Sequence, residues 1–184
     1  PGQVSAAHLV TETGAGLMEM NTSCPNEGHN RLLCHNPLLV GRITEAVKQE
    51  IGDIPLMVKL AYIPSDDALE LMVRSTVGHV QGFSTINTIS AKLVDANGNQ
   101  ALPGAGRDRS GVCGNAIRGA GLDMVARLAA IREKLGLDFA INGVGGVVSP
   151  ADYQAYRDAG ADSVMSATGA MWDAELAHKI KASR

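Results

Sequence analysis

Short apolar segments alternate with longer amphipathic segments along almost the whole chain. The apolar segments have the length of β-strands and lie at residues 16–21, 55–60, 80–87, 139–144 and 163–168. The segments that follow them have the length of helices and lie at residues 37–51, 65–77, 117–135, 149–159 and 170–181. Strands that alternate with helices of this length form βαβ units and a parallel sheet. The sequence therefore predicts an α/β fold.

The end signals of one predicted helix support this pattern. Ser149 followed by Pro150 is typical of an N-cap with a proline at the first helical position, and Asp152 places an acidic residue in the first turn. Gly160 follows the last residue of the segment, where a glycine commonly ends a helix. Residues 149–159 are therefore predicted to be a helix bounded on both sides.

Length and composition indicate a single domain with a well-buried core. The chain has 184 residues, of which 45% are hydrophobic and 19% charged, and its net charge is -3. The basic residues are scattered, so we expect no nucleic-acid partner. We also expect no membrane partner, because no apolar segment has the length of a membrane span. With only three cysteines, a disulfide framework is not indicated, and we expect a cytoplasmic protein.

The first predicted strand leads directly into a polar hexapeptide, Asn-Thr-Ser-Cys-Pro-Asn, at residues 21–26. Pro25 cannot extend a strand ladder and disfavours a helix at the residue before it, so the strand ends in a turn here. The turn carries the thiol of Cys24 and the carboxamides of Asn21 and Asn26. Enzymes with α/β folds keep their chemistry at this end of the strands.

The other predicted strands also end in polar or glycine-rich residues. The second strand ends in Lys59, the third in Asn87 and Thr88, the fourth in residues 143–146, and the fifth in Thr168 with Gly169. The glycines at 145 and 146 precede a helix, so their backbone N–H groups are expected to approach an anion such as phosphate. The sequence therefore predicts a site at the carboxyl edge of the sheet.

One connection is unusually long for a compact domain. Residues 89–110 contain the turn sequence Asp-Ala-Asn-Gly-Asn at 95–99, then a segment rich in proline and glycine. The Asn-Gly pair predicts the tip of a hairpin. Long excursions of this kind usually cover or shape a site, and we expect the same here.

Five of these segments together resemble the dihydroorotate dehydrogenase family. They are the hexapeptide at 21–26, Val-Lys-Leu around Lys59, Ile-Asn-Thr at 86–88, Ser-Gly-Val-Cys-Gly-Asn-Ala-Ile-Arg at 110–118 and Asn-Gly-Val-Gly-Gly at 142–146. The family is an FMN-dependent barrel family that includes the pyrimidine-reducing domain of dihydropyrimidine dehydrogenase. The resemblance covers nearly the whole chain, with the motifs in the family's order.

The resemblance implies a flavin-dependent oxidoreductase that acts on a dihydropyrimidine, either oxidising dihydroorotate to orotate or reducing uracil or thymine. Hydride would pass to or from N5 of FMN, with Cys24 as the general acid/base. An unperturbed thiol has a pKa of about 8.5, which suits this role with modest tuning. The implied substrate-binding residues are Asn21, Asn26, Asn87 and Thr88. The implied cofactor-binding residues are Asn21, Lys59, Gly114, Gly145, Gly146 and Thr168.

The chain is shorter than the fold that the resemblance implies. A (β/α)₈ TIM-type barrel has eight βα units and about 250 residues, whereas this sequence predicts about five units. We therefore expect residues 1–184 to be a single FMN-binding barrel domain that lacks its N-terminal part. We further expect a pyrimidine substrate, an electron-transfer subunit as a possible partner, and a homo-oligomer that protects the open sheet edges.

Other interpretations of the same residues remain open. Lys59 is also compatible with a phosphate-binding barrel lyase or isomerase that uses it as a base or Schiff-base former, and the chain is also compatible with a non-catalytic fragment. Cys24, His29, Cys34 and His35 supply zinc-type ligands within twelve residues, but their spacing matches no common zinc module. For Cys34 and Cys113 we favour buried structural thiols. The sequence does not select the pyrimidine or the electron acceptor.

Overall fold

A computed structural model describes residues 2–23 and 32–183 of the chain. It contains seven strands, which are β1 (Met18–Asn21), β2 (Leu56–Leu60), β3 (Gly82–Thr85), β4 (Ile89–Lys92), β5 (Arg109–Val112), β6 (Ala140–Val144) and β7 (Ser163–Met165). Five of them form one parallel sheet in the order β1-β2-β3-β6-β7. The strands β4 and β5 form a separate antiparallel hairpin.

Seven α-helices accompany the strands in the described part of the chain. They are α1 (Gly2–Thr11), α2 (Pro37–Ile51), α3 (Asp66–Thr76), α4 (Arg118–Leu135), α5 (Pro150–Asp158), α6 (Thr168–Trp172) and α7 (Leu176–Ala182). Short 3₁₀ turns at Leu33–His35 and Gly114–Ile117 precede α2 and α4. Each parallel strand is followed by a helix, and this alternation confirms the predicted α/β fold with about five βα units of the barrel type.

The predicted final helix is wrong in one respect, because residues 170–181 form two helices instead of one. The chain leaves the helical path at Asp173, whose side-chain carboxylate accepts a hydrogen bond of 3.1 Å from the backbone N–H of Glu175. Aspartate side chains that bond to nearby backbone groups in this way compete with helix hydrogen bonds. The first of the two helices, α6, begins at Thr168, whereas the sequence placed this residue at the end of a strand.

One face of the sheet forms the hydrophobic core with the helices. Strand side chains alternate between faces, and the helix-facing set includes Met20, Val58, Phe83 and Ile141, all buried. The rings of Phe83 and Phe139 meet edge to face with centroids 5.1 Å apart, a favourable aromatic geometry. The opposite face carries the polar residues Glu19, Asn21, Lys59, Ser84, Asn142 and Ser163.

The excursion between β3 and α4 is the β4–β5 hairpin. Its tip is a tight turn in which the Asp95 carboxylate accepts hydrogen bonds from the backbone N–H groups of Asn97 and Asn99, at 2.8 and 2.9 Å. The bonds from Asn99 and Asn97 hold the pKa of Asp95 below its usual value. Gly98 has φ +83°, a conformation that glycine adopts without steric cost. The Asn-Gly turn predicted from the sequence is confirmed.

None of the helices within residues 2–23 and 32–183 combines the length and the apolar character needed to cross a bilayer.

Candidate functional site

A pocket of about 350 Å³ opens at the carboxyl end of the parallel strands. The ends of β2, β3, β6 and β7 contribute to its wall, together with both ends of the hairpin. Its lining residues are Lys59, Ile86, Asn87, Thr88, Cys113, Gly114, Ile117, Val144, Gly145, Gly146, Val147, Met165, Ser166, Ala167, Thr168, Gly169 and Met171. Parallel α/β enzymes bind their ligands at this edge, so the position is the one expected for a functional site.

Most of the residues singled out from the sequence meet in this pocket. Its lining includes the residues assigned from the resemblance to cofactor or substrate at positions 59, 87, 88, 114, 145, 146 and 168. Asn21 lies at the end of β1 and reaches the pocket residue Asn87 through a hydrogen bond of 3.3 Å. Cys24 and Asn26 lie outside the described residues. Five separate strand-end motifs therefore converge on one site.

The first polar part of the site is a cluster of amide and hydroxyl groups formed by Asn21, Ser23 and Asn87. The Asn21 side-chain carbonyl accepts from the Ser23 backbone N–H at 3.0 Å and from the Asn87 amide. The Asn87 amide nitrogen also donates to the Ser23 hydroxyl at 3.0 Å. The Asn87 side-chain carbonyl accepts a hydrogen bond of 2.8 Å from the backbone N–H of Thr88. This cluster connects the ends of β1 and β3 and fixes the Asn87 side chain.

The end of β2 anchors the same cluster. The Lys59 carbonyl accepts hydrogen bonds from the hydroxyls of Thr22 at 2.7 Å and of Ser23 at 3.3 Å. Lys59 also lines the pocket. Thr22 and Ser23 are almost completely buried, so the segment that leads toward Cys24 leaves the sheet in a fixed position.

The second part is a glycine cradle, which we define as Gly114, Gly145 and Gly146. Gly145 has φ +130° and Gly146 has φ +69°, so a side chain at either position is strained. A Cβ atom at residue 146 would come within 2.6 Å of the Arg118 Cβ and 3.0 Å of the Gly114 carbonyl oxygen. Only glycine fits here, and backbone without side chains lets N–H groups approach an anionic group.

A buried tyrosine holds the cradle from behind. The hydroxyl of Tyr156 on α5 donates a hydrogen bond of 2.7 Å to the Gly145 carbonyl. The ring packs where a Cβ at Gly143 would come within 2.4 Å of it, so the glycine before the cradle is needed to admit the ring. Burial raises the pKa of Tyr156 to about 12, and the phenol therefore remains a hydrogen-bond donor at all physiological pH values.

An ion pair fixes the helix that carries this tyrosine. Asp152 accepts from the Ser149 hydroxyl at 2.8 Å and the Val148 N–H at 3.1 Å, and it pairs with the Arg118 guanidinium. Burial raises the pKa of Asp152, but the hydrogen bonds from Ser149 and Val148 and the charge of Arg118 outweigh this effect and hold the pKa below its usual value. The N-cap predicted at Ser149 is confirmed, since its hydroxyl accepts from the Asp152 N–H.

The hairpin borders the pocket with its two ends. Thr88 precedes β4 and Cys113 follows β5, and the Thr168 hydroxyl lies 3.4 Å from the Cys113 sulfur. A Cβ at Gly111 would come within 2.3 Å of the Thr88 hydroxyl, so a glycine in β5 allows the hairpin to approach Thr88. Cys113 is exposed, and the expectation that it is a buried structural thiol is wrong.

Sequence reasoning missed the apolar wall of the pocket. Ile86, Ile117, Val144, Met165 and Met171 are among its lining residues. Ile86 and Ile117 are indistinguishable in sequence from ordinary core residues. Met171 is 87% exposed and lies in α6, and its exposure is known only from the structure.

Of the four residues considered above as possible zinc ligands, the structure describes Cys34 and His35. Cys34 is buried and free, and burial raises the pKa of its thiol. No group of three or more possible ligands comes together within residues 2–23 and 32–183. Cys24 and His29, the other two of these four residues, lie outside the described residues.

Fold and pocket together define a barrel-type α/β protein with a ligand-sized pocket at the carboxyl edge of its sheet. The chain belongs to the dihydroorotate dehydrogenase family, because the family model described as Dihydroorotate dehydrogenase matches residues 4–183.

Curated relatives agree with this assignment. The chain is 35% identical to a dihydroorotate dehydrogenase of Dictyostelium discoideum, over 96% of this chain and 49% of that protein. It is 28% identical to the catalytic subunit of dihydroorotate dehydrogenase B (NAD(+)) of Solidesulfovibrio magneticus, over 95% and 55%. It is also 28% identical to the NAD-dependent dihydropyrimidine dehydrogenase subunit PreA of Escherichia coli K12, over 90% and 41%. The chain thus spans about half the length of these relatives.

Proposed function

We propose that this chain supplies part of an FMN-dependent oxidoreductase site, located at the carboxyl ends of its parallel strands. This site would interconvert a dihydropyrimidine and the corresponding pyrimidine. The observation that carries the proposal is the convergence of Lys59, the amide cluster and the glycine cradle on one pocket in a member of the dihydroorotate dehydrogenase family. Residues 1–184 then belong to a single FMN-binding barrel domain.

The shape and polarity of the pocket fit FMN. The cradle presents backbone without side chains where a phosphate needs N–H donors, and a Cβ at Gly146 would collide with Arg118 and Gly114 and disturb this backbone. Thr168 lies beside Gly114 of the cradle, and Ile86 and Val144 offer apolar surface to a flat ring. Lys59 supplies a positive charge that stabilises negative charge on a reduced flavin. FMN, when bound, supplies the two-electron exchange at a carbon–carbon bond of the substrate.

The amide cluster suits a flat pyrimidine. A pyrimidinedione presents alternating C=O and N–H groups in its plane, and a carboxamide offers both an acceptor and donors. Asn87 is held by its bonds to Asn21, Ser23 and Thr88, so its orientation is set before the substrate arrives. Asn21, Asn26 and Thr88 complete the proposed substrate contacts. Preorganised polar groups of this kind orient a ligand at little cost in entropy.

Cys24 is the proposed general acid/base, which exchanges a proton with the carbon next to the one that exchanges hydride. Thr22 and Ser23 fix the chain that leads to it at the pocket edge. A thiol near its unperturbed pKa of about 8.5 exists in both protonation states close to neutral pH. Cysteine therefore serves the reaction in both directions.

The proposal extends to partners and location. Two of the relatives are described as subunits of larger enzymes, which supports an electron-transfer subunit as a partner of this chain. The parallel sheet has β1 and β7 at its edges, and association into a homo-oligomer is a physical means of covering them. We place the protein in the cytoplasm.

The test is anaerobic mixing of the FMN-loaded protein with dihydroorotate and, separately, with dihydrouracil. Loss of flavin absorbance with one of them is expected, and the substrate that produces it identifies the pyrimidine. The variant Cys24→Ala should retain FMN and slow the reduction by about 10² or more. The matched variant Cys34→Ala, which lies outside the pocket, should reduce at the rate of the unmodified protein. Reduction at an unchanged rate in Cys24→Ala would remove this cysteine from the mechanism.

A further inference from the structure

A chain of hydrogen bonds crosses the polar face of the parallel sheet and ends at Lys59. The register aligns Lys59, Ser84, Asn142 and Ser163 on neighbouring strands. The Ser163 hydroxyl donates to the Asn142 carbonyl at 3.0 Å, and the Asn142 amide donates to the Ser84 oxygen at 3.1 Å. Ser84 donates in turn to the Glu19 carboxylate. The other Glu19 oxygen lies 3.7 Å from the Lys59 ammonium.

The donor and the acceptor in each of these hydrogen bonds follow from the chemistry of the groups. An ionised carboxylate only accepts, so the hydrogen of Ser84 must point to Glu19. The Ser84 oxygen is then free to accept from Asn142. Ser84 is completely buried and Asn142 nearly so, and buried polar groups are costly unless they are paired. These hydrogen bonds therefore hold the Glu19 carboxylate in one place on the polar face of the sheet.

Glu19 itself is only partly covered, with 27% of its side chain exposed, and Lys59 is similar at 23%. A lysine carries a flexible four-carbon stem, so its ammonium has no fixed position without a partner. Glu19 contributes no atom to the lining of the pocket, whereas Lys59 does. The carboxylate thus acts on the pocket through the lysine.

We propose that Glu19 is a positioning residue that fixes the Lys59 ammonium in the pocket, and that Ser84 orients Glu19 for this task. The inference rests on the proposed function, because it assumes that the pocket takes FMN and that Lys59 is the cation beside it. Glu19 moves no proton and touches no substrate. Its effect on FMN requires Lys59.

The test is a double-mutant cycle on the FMN dissociation constant, measured by quenching of FMN fluorescence. Glu19→Gln keeps the shape of the side chain and removes its charge, and it should weaken FMN binding by about three- to ten-fold. In the Lys59→Met background the same substitution should change the constant by less than about two-fold. Glu45→Gln, on the exposed surface of α2, makes the same chemical change away from the pocket and should have no effect.

A second variant keeps the test decisive if Glu19→Gln fails to fold. Ser84→Ala removes one oxygen atom from a buried site and leaves both charges, and it should weaken FMN binding in the same direction by a smaller factor. Unchanged FMN binding in Ser84→Ala and in any folded Glu19→Gln would overturn the inference while the proposed function stands. Equal factors for Glu19→Gln in both backgrounds would also overturn it. Unmodified protein that binds no FMN would overturn the proposed function and this inference with it.

Discussion

The Tyr156 hydroxyl donates a hydrogen bond of 2.7 Å to the carbonyl of Gly145, and this contact joins helix α5 to the glycine cradle. Tyr156 is completely buried, so the bond is shielded from water. Since Gly145 has a backbone conformation that only glycine adopts readily, an external support is what keeps the cradle in one shape.

Replacing Tyr156 with phenylalanine should therefore loosen the cradle while the ring still fills its space. The expected loss in the free energy of unfolding is about 1 kcal/mol, accompanied by FMN binding that is weaker by a few-fold. Urea unfolding and fluorescence titration measure the two effects. Tyr62→Phe removes a similar hydroxyl outside the pocket and should leave FMN binding unchanged. Equal FMN affinity in both variants would show that the Tyr156 bond does not shape the cradle.

Gly146→Ala should damage the cradle more directly. The strained φ costs about 1–2 kcal/mol for any residue with a Cβ, and the added atom would approach Arg118 and Gly114 too closely. We expect FMN affinity to fall by about ten-fold or more, since 1.4 kcal/mol corresponds to a factor of ten. Gly52→Ala is the matched control, because Gly52 also has a positive φ, +61°, but open space around it. The Gly52→Ala variant should be less stable than the unmodified protein but should retain its FMN affinity.

Asn87→Ala should act on the substrate and spare the cofactor. The substitution removes the amide held by Asn21 and Ser23, and the loss of one hydrogen bond to the pyrimidine should raise the KM by about ten-fold. FMN affinity should change little. Asn99→Ala, at the hairpin tip and outside the pocket, serves as the control. An unchanged KM in Asn87→Ala would place the pyrimidine elsewhere.

Asp152 predicts a pH dependence of stability. Its pKa is lowered in the folded protein, so its stabilisation is fully present above the unfolded value of about 3.8 and is lost as the pH falls through the lowered folded value. Asp152→Asn should therefore cost about 1.5–3 kcal/mol at pH 7, and the difference from the unmodified protein should shrink below about pH 4. Urea unfolding at pH 7 and pH 3 measures this. A difference that stays constant over this range would contradict the assignment.

Periodicity predicted the sheet and most helices because the strands of a parallel sheet are buried and read as continuous apolar segments. The helix α2 has the predicted bounds, Pro37–Ile51. The helix α1 was missed because only Ala7 of its ten residues is buried, so it carries no apolar stripe. The break between α6 and α7 depends on one Asp173 hydrogen bond. The spacing of apolar residues in the sequence does not reveal such a bond.

The site was predictable where its residues follow strands in the sequence. The pairing of Glu19 with Ser84 was not, because the two residues are 65 positions apart and their contact depends on strand register. One signal was present nonetheless. Met18 and Met20 alternate with Glu19 and Asn21, and this alternation places the glutamate on the same face as the site asparagine.

Binding of FMN in the pocket can be measured by titrating the purified chain with FMN. We expect quenched FMN fluorescence, a shifted visible spectrum and saturation at a single FMN per chain, all diminished in Gly146→Ala and retained in Gly52→Ala. Unmodified protein whose FMN spectrum and fluorescence match those of free FMN at every concentration would show that the pocket does not bind FMN.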